Sequence, residues 1–115
     1  MNKKISIIIF DDHNLVAEMW SDLISSDERF SVVAICNDTS SKSIDVVKAK
    51  RPDVVIMDIN IPPTSGIEAT KIVKKESPGT KVIGVSMHNQ PSFAKRMLKN
   101  GALGYVTKKI GRAHV

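Results

Sequence analysis

The fold is decided by residues 54–66, which read Val54-Val-Ile-Met-Asp58-Ile-Asn60-Ile-Pro62-Pro63-Thr-Ser-Gly66. The first four residues form an uninterrupted apolar run, which is typical of a strand buried on both faces of a sheet. Pro52 ends the helix predicted before this run, and Gly66 opens the helix predicted after it. A buried strand between two helices indicates a parallel sheet, and this strand ends in an acid, Asp58.

The same alternation of apolar runs and amphipathic stretches extends in both directions along the chain. Five strands are predicted, at Ile5–Phe10, Phe30–Cys36, Val54–Asp58, Val82–Ser86 and Leu103–Thr107. The intervening helices carry apolar residues at helical spacing, namely Leu15, Met19, Leu23 and Ile24, then Ile44 and Val47, then Ile67, Ile72 and Val73, and finally Phe93, Met97 and Leu98. We expect Met19 and Trp20 to belong to the packing of the first helix, with Trp20 partly exposed, and Phe93, Met97 and Leu98 to be buried. This βαβαβαβαβ order predicts an α/β fold with a doubly wound, five-stranded parallel sheet.

The composition is that of a single domain with a real core. The chain has 115 residues, of which 42% are hydrophobic, too many for a disordered protein. Its one cysteine, Cys36, excludes an internal disulfide and a cysteine-based zinc site. The net charge of +5 is spread along the predicted helices without interleaved aromatic residues, so we interpret the basic residues as solvated helix faces rather than a nucleic-acid surface.

The apolar runs and the last residues of the chain give expectations about location and about the final helix. No apolar run approaches the roughly 20 residues that cross a membrane. The apolar run at 5–10 follows two lysines but leads directly into Asp11-Asp12, unlike a signal peptide, so we expect a cytoplasmic protein. Residues 110–115 are too short for the helix that should cover the last flank of the sheet. We therefore expect that the final helix is truncated or that another chain supplies the cover.

Polar side chains stand at the carboxyl ends of four predicted strands, where open α/β sheets place their ligands. They are Asp11 and Asp12, Asp58, Ser86 and Lys108. Three crowded carboxylates repel one another and require a cation, and oxygen ligands favour Mg²⁺ over zinc. A nucleophilic carboxylate, a metal, a lysine and a hydroxyl donor together suit the transfer of a phosphoryl group to Asp58.

Four motifs follow the strands in order: Asp11-Asp12-His13, Met57-Asp58-Ile-Asn60-Ile-Pro62-Pro63-Thr-Ser-Gly66, Val85-Ser86-Met87-His88, and Gly101-Ala-Leu-Gly-Tyr105-Val-Thr107-Lys108. Each motif alone is weakly specific, but the set covers nearly the whole chain. As a set it resembles the receiver domain of two-component response regulators, and most of all the NarL/FixJ subfamily with LuxR-type output. The resemblance implies a flavodoxin/CheY-like sheet in the order 2-1-3-4-5, with residues 1–115 forming one receiver domain and no output domain.

The resemblance also implies a role for each matching residue. Asp58 is then the phosphoacceptor, Asp12 a direct Mg²⁺ ligand, and Asp11 a ligand mainly through water. Asn60 contributes its backbone carbonyl to the metal, and Lys108 pairs with the phosphoryl oxygens. Ser86 and Tyr105 take the places of the family's switch residues.

Receiver domains of this kind act as signalling switches rather than as conventional enzymes. The resemblance implies phosphorylation by a sensor histidine kinase or by small phosphodonors such as acetyl phosphate, and self-catalysed dephosphorylation. It also implies control of an output domain outside this chain, where a C-terminal helix-turn-helix module would account for any DNA binding. Self-association as a homodimer is a further expectation, through the face formed in this family by the fourth helix, the fifth strand and the fifth helix, which is incomplete here.

Some positions depart from the commonest family pattern. Pro63 replaces a frequent glycine, which predicts a stiffer loop. Lys109 replaces a frequent proline after the lysine. Met87 is larger than the usual residue after the switch serine, so we expect it to narrow access to Asp58. We hypothesise that Asn60, Met87 and His88 adjust the lifetime of the phosphate.

Simpler interpretations of the same residues stay open at this level. Asp11-Asp12 can cap the first helix, Lys108 can be a surface lysine, and Ser86 can serve only backbone donors. Tyr105 can be an ordinary half-buried residue, while His13 is expected near solvent at a helix start. Two other classes compete, a binding module without phosphorylation and a phosphatase of the haloacid-dehalogenase type. A binding module without phosphorylation predicts a damaged acidic site. A phosphatase of the haloacid-dehalogenase type predicts an acidic residue at the position of Asn60.

Overall fold

The computed structural model describes residues 3–86 and 91–107. Strands and helices alternate in these ranges, in the order β1 (Ile5–Phe10), α1 (Asn14–Ser25), β2 (Phe30–Cys36), α2 (Ser41–Lys50), β3 (Val54–Asp58), α3 (Gly66–Glu76), β4 (Lys81–Ser86), α4 (Pro91–Lys99) and β5 (Gly104–Thr107). The predicted order of elements is confirmed, with β4 beginning one residue earlier and β5 one residue later than expected. The expected truncation of the last helix concerns residues outside the described ranges.

The five strands form one parallel sheet in the order β2-β1-β3-β4-β5. The predicted doubly wound α/β fold and its strand order are therefore confirmed. In the centre of the sheet, Phe10 of β1 lies beside Met57 of β3, and Asp58 lies beside Val85 of β4. This register brings the carboxyl ends of β1, β3 and β4 to one edge.

Apolar side chains cover the sheet on both faces because successive strand residues point to opposite sides. On one face, Ile8, Phe10, Val55 and Met57 pack with buried residues of α2, α3 and α4. On the other face, a smaller cluster is built from Ile7, Ile9 and residues of α1. Helices on both faces bury the central strands, which explains their unbroken apolar sequence. None of the helices in the described part of the chain is long and apolar enough to span a membrane.

Helix α1 packs through a different stripe from the one that its apolar residues indicate. Leu15, Met19 and Leu23 are 74%, 54% and 64% exposed, whereas Ala17, Trp20 and Ile24 contact the sheet. Placing Met19 in the packing of this helix was therefore wrong, while the partial exposure of Trp20 is confirmed. Two neighbouring apolar stripes have the same helical period, so the period alone does not tell which one faces the sheet.

Helix α4 shows a similar difference at adjacent residues. Met97 is fully buried, but Leu98 is 50% exposed, so the predicted burial of Leu98 was wrong. Consecutive residues of an α-helix point about 100° apart around its axis. The stripe of α4 that packs on the sheet therefore includes Met97 but not Leu98.

At the opposite edge of the sheet from the acids, Ser6 and Asp53 tie β1 to the start of β3. The Asp53 carboxylate accepts hydrogen bonds from the Ser6 backbone N–H at 2.8 Å and from its hydroxyl at 3.1 Å. The Ser6 hydroxyl oxygen in turn accepts a bond from the Asp53 N–H at 3.0 Å. Both bonds from Ser6 hold the pKa of Asp53 below its usual value of 3.8. The bond from the backbone N–H has the larger effect, and the bond from the hydroxyl the next largest.

We expect the Ser6→Ala variant to lose less stability in acid than the wild type. The ionised Asp53 stabilises the folded chain above its unfolded pKa of about 3.9, and this contribution is lost as the pH falls through the lower folded-state pKa. Removing the Ser6 hydroxyl therefore removes part of the dependence of folding stability on pH. Urea unfolding at a series of pH values between roughly 2 and 6 measures it. Ser26→Ala is the control, since the Ser26 hydroxyl donates to a backbone carbonyl, that of Leu23. Equal acid sensitivity of the two variants would contradict the prediction.

Candidate functional site

The acids predicted to converge lie at the ends of β1 and β3. Because Phe10 and Met57 are neighbours across the sheet, the residues that follow them, Asp11 and Asp58, end adjacent strands side by side. Both are buried, at 3% and 5% exposure, whereas the Asp12 side chain is partly exposed. Parallel strands bring their carboxyl ends to one edge, so residues 47 positions apart in the chain share one site.

One histidine joins these three acids. Oxygen or nitrogen atoms of Asp11, Asp12, His13 and Asp58 all lie within 4.8 Å of one another. His13 Nδ1 is 3.1 Å from Asp12 Oδ1 and 3.4 Å from Asp11 Oδ1. His13 stands at the exposed start of α1 as expected. Its contact with both acids was missed, and the only signal for it was its position directly after the acidic pair.

The acidic pair does not cap α1. The N-cap residue of this helix is His13, whose side chain makes no capping hydrogen bond. Asp11 Oδ1 instead accepts a hydrogen bond from the His13 N–H at 2.9 Å, which bends the chain between β1 and α1. The capping interpretation was therefore wrong, and the acids are directed to the end of the sheet.

Backbone contacts fix the chain on both sides of Asp58. Its Oδ1 accepts a hydrogen bond from the Asn60 N–H at 3.1 Å. The Ile59 N–H donates to the Val85 carbonyl at 3.0 Å, and the Gly66 N–H donates to the Ile59 carbonyl at 2.7 Å. A Cβ atom on Gly66 would lie 2.0 Å from the Asp58 carbonyl oxygen, so α3 begins directly against the backbone of Asp58.

The donor set at this edge suits a hard divalent cation. The three carboxylates supply oxygen ligands, and their negative charges are close enough to repel one another strongly without a cation. Asn60 is exposed at the rim, in the loop that leaves Asp58. The described residues at this edge therefore fit Mg²⁺, and the Asn60 carbonyl as one of its ligands stays a prediction.

Ser86 and Tyr105 lie on the strands next to Asp58. Ser86 is fully buried at the end of β4, one residue beyond Val85, the neighbour of Asp58 across the sheet. Tyr105 lies beside Gly84 and packs half-buried against the larger core cluster. The structure thus brings Ser86 to the predicted edge and places Tyr105 farther back along β5. Lys108, Met87 and His88, together with Lys109, lie outside the described residues.

A small cavity of about 10 Å³ lies under the acids. Trp20 of α1 lines it together with Asp11, Asp58 and apolar residues of the sheet, namely Ile9, Phe10, Ile56 and Val85. The indole is therefore close enough to the site for its fluorescence to respond when the acids bind a ligand.

Comparison with known proteins agrees with this geometry. The family model of the response regulator receiver domain matches residues 7–115. The transcriptional regulatory protein DegU of Brevibacillus brevis is 37% identical over 107 residues, which is 93% of this chain and 45% of the relative. The chain thus spans about half the length of this relative, and the same holds for the response regulator GacA of Pseudomonas syringae, of which it covers 51%.

Solved structures extend the likeness to three dimensions. A LuxR-family two-component response regulator from Aurantimonas superposes with a TM-score of 0.85 at 31% identity, covering 91% of this chain and 74% of that one. The receiver domain of the putative response regulator NarL from Mycobacterium tuberculosis gives 0.86 at 26% identity, covering 92% and 85%. With its acids at the ends of β1 and β3, the chain belongs to the receiver domain family of two-component response regulators.

Proposed function

We propose that this domain is a phosphorylation-dependent switch in which Asp58 accepts a phosphoryl group in the presence of Mg²⁺. The observation that carries the proposal is the convergence of Asp11, Asp12 and Asp58 at the end of the sheet, with their ligand atoms within 4.8 Å. Asp11, Asp12, Asp58 and the backbone carbonyl of Asn60 are the groups that would hold the metal. Bound Mg²⁺ supplies positive charge that offsets the acids and the phosphate oxygens.

The side chains around Asp58 have complementary tasks in the transfer. A carboxylate oxygen of Asp58 forms a bond to phosphorus while the bond from phosphorus to the donor breaks, and the donor leaves with that electron pair. The buried Ser86 hydroxyl donates to a phosphoryl oxygen, and Lys108 pairs with another. Hydrogen bonds and backbone contacts already hold Asp58 in place, which reduces the reorganisation that the reaction needs.

The same proposal assigns the response to phosphorylation. Ser86 moves toward the phosphate, and Tyr105 follows into the vacated space, which alters the surface of α4 and β5. Asn60 at the rim, with Met87 and His88, adjusts how long the phosphate persists. The domain then catalyses its own phosphorylation and dephosphorylation, and the phosphate serves as a signal rather than as a turnover intermediate.

The proposed partners follow from this role. A sensor histidine kinase, or a small phosphodonor, supplies the phosphoryl group to this domain in the cytoplasm. The name of the DegU relative indicates transcriptional control, and that protein is about twice as long as this chain. We therefore include in the proposal an output domain that regulates transcription, with DNA contacted only by a C-terminal helix-turn-helix module, and self-association as one consequence of phosphorylation.

Phosphorylation of the chain by acetyl phosphate tests the proposal. We expect intact-mass spectrometry to show the gain of one phosphoryl group with Mg²⁺ and none with a chelator. Beryllofluoride with Mg²⁺ should change the fluorescence of Trp20, which lines the cavity under the acids. Asp58→Asn should abolish both responses, and Asp22→Asn, at an exposed position of α1, should leave both intact.

Two results would count against the proposal in different ways. Phosphorylation that persists in Asp58→Asn would show that another residue is the acceptor. A wild-type chain that responds to neither reagent would favour a binding module that keeps the fold but does not use phosphorylation.

A further inference from the structure

The loop between β2 and α2, residues 37–40, contacts both halves of the acidic site. On the β1 side, the Asn37 side-chain amide donates to the Asp11 carbonyl at 3.0 Å. The Asp11 N–H donates to the Cys36 carbonyl, also at 3.0 Å. The peptide groups on both sides of Asp11 are therefore held from the end of β2.

On the β3 side, the contact is made by Thr39, which is buried. Its N–H donates to the Pro62 carbonyl at 2.8 Å. Its hydroxyl oxygen accepts from the Thr64 N–H at 2.9 Å and lies 2.9 Å from the Thr64 hydroxyl and 3.2 Å from the Thr64 carbonyl. A hydroxyl offers one donor and two acceptor positions, and this one uses all three on a single residue. Thr39 thus holds the loop that leaves Asp58.

The loop itself is anchored firmly to α2. Asp38 Oδ1 accepts hydrogen bonds from the Ser40 N–H at 3.0 Å and from the hydroxyls of Ser40 and Ser43, both at 2.7 Å. These bonds lower the pKa of Asp38, and the bonds from the Ser40 and Ser43 hydroxyls contribute most to that lowering. The loop that joins the two halves of the site is therefore hydrogen-bonded to the first turn of α2 through Ser43.

We infer that residues 37–40 act as a brace that sets the spacing between the acids of β1 and the segment 58–64. Asn37 and Thr39 are then positioning residues for the metal, an inference that rests on the proposed function. Carboxylates that repel one another tend to move apart when no cation is bound. A brace that holds their backbones in place reduces the rearrangement needed for binding, so its loss weakens Mg²⁺ affinity even though neither residue contacts the ion.

The test compares Thr39→Val, which keeps the shape but removes the hydroxyl, with Thr39→Ser, which keeps the hydroxyl. Mg²⁺ affinity is measured by calorimetric titration and by Trp20 fluorescence. We expect Thr39→Val to bind Mg²⁺ about tenfold more weakly and Thr39→Ser to bind nearly as tightly as the wild type. Asn37→Ala, at an exposed position that should not impair folding, should weaken binding about threefold.

Thr80→Val is the matched control. The Thr80 hydroxyl is equally buried and bonds the Pro52 carbonyl and the Ser77 hydroxyl, both at 2.7 Å, at the opposite edge of the sheet. It should lower the melting temperature as Thr39→Val does, while leaving Mg²⁺ affinity unchanged. An equal loss of affinity in both variants would assign the effect to general destabilisation and overturn the inference.

Hydrogen exchange in the Mg²⁺-free chain separates the brace from the proposed function. Thr39→Val should speed exchange of the Asn60 and Thr64 amides, and Thr39→Ser should not. A wild-type chain that binds no Mg²⁺ would refute the proposed metal site, and the exchange rates would still decide whether the brace holds the loop. If Thr39→Val changes neither the exchange rates of these amides nor the Mg²⁺ affinity, the inference about the brace is overturned while the proposed function stands.

Discussion

The Gly66→Ala variant is expected to lose about 3 kcal/mol of unfolding free energy, at the upper end of the cost of overpacking. The added Cβ would lie 2.0 Å from the Asp58 carbonyl oxygen, 2.8 Å from the Asp58 carbonyl carbon and 2.9 Å from Ile59 Cα. All three are backbone atoms, so no side chain can turn aside to make room. Either α3 or the end of β3 must shift, and the 2.7 Å bond from the Gly66 N–H to the Ile59 carbonyl is strained or lost.

This shift also reaches the acidic site, because the displaced atoms belong to Asp58 itself. Urea unfolding and Mg²⁺ titration should therefore show lost stability together with weaker Mg²⁺ binding. Gly79→Ala is the control, since a Cβ there meets no atom within 4 Å, and it should change stability by less than about 0.5 kcal/mol. Equal stability of the two variants would mean that α3 can move away from β3 at little cost.

The Met97→Ala variant is expected to lose about 3 kcal/mol through the cavity it leaves. Met97 is fully buried, and its sulfur lies 3.7 Å from the Thr70 hydroxyl of α3. Its side chain also fills the space over Gly84, where a Cβ would lie 2.4 Å from the Met97 methyl carbon. One flexible side chain therefore packs α4 against α3 and β4. Leu98→Ala, at a half-exposed neighbouring position, should cost less than about 1 kcal/mol.

A double-mutant cycle with Gly84→Ala tests this packing directly. The alanine methyl meets the Met97 side chain first and the Tyr105 ring next, at 3.1 Å. In Met97→Ala the first of these clashes is removed, and the methyl enters the vacated space. The two substitutions should therefore cost less together than the sum of their separate costs, by about 1 kcal/mol. Chemical denaturation of the four proteins measures the difference. Strictly additive costs would show that Met97 does not occupy the space over Gly84.

The positions of the strands and the convergence of the acids could be predicted from the chain alone. Runs such as 54–57 are apolar at every position because both faces of the central strands are covered by helices. Acids placed directly after two such runs converge whenever the strands are parallel neighbours, whatever the details of packing. The sequence therefore predicts that Asp11 and Asp58 lie in one site, because each directly follows a buried strand of the same parallel sheet.

The choice of helix face could not be predicted in the same way. Leu15, Met19 and Leu23 form a regular apolar stripe, yet the sheet takes the adjacent stripe of Ala17, Trp20 and Ile24. The hydrophobic period shows that a helix is amphipathic, but two adjacent apolar stripes share that period, so it does not tell which of them packs on the sheet. At 97 and 98 the same ambiguity exists, and in the folded chain it is Met97 that packs over Gly84.

The chemistry of the strand ends therefore follows from the order of residues, because a strand's position and its final side chain are local properties of the sequence. The contacts around those strand ends arise only on folding: His13 against the two acids, Gly66 against the Asp58 carbonyl, and Asn37 and Thr39 against opposite halves of the site. Thr39 and Thr64 are 25 residues apart, and a single hydroxyl carries no periodic pattern that would pair it with a distant backbone. Such contacts depend on the register of neighbouring strands and on the paths of loops, which the packed sheet alone determines.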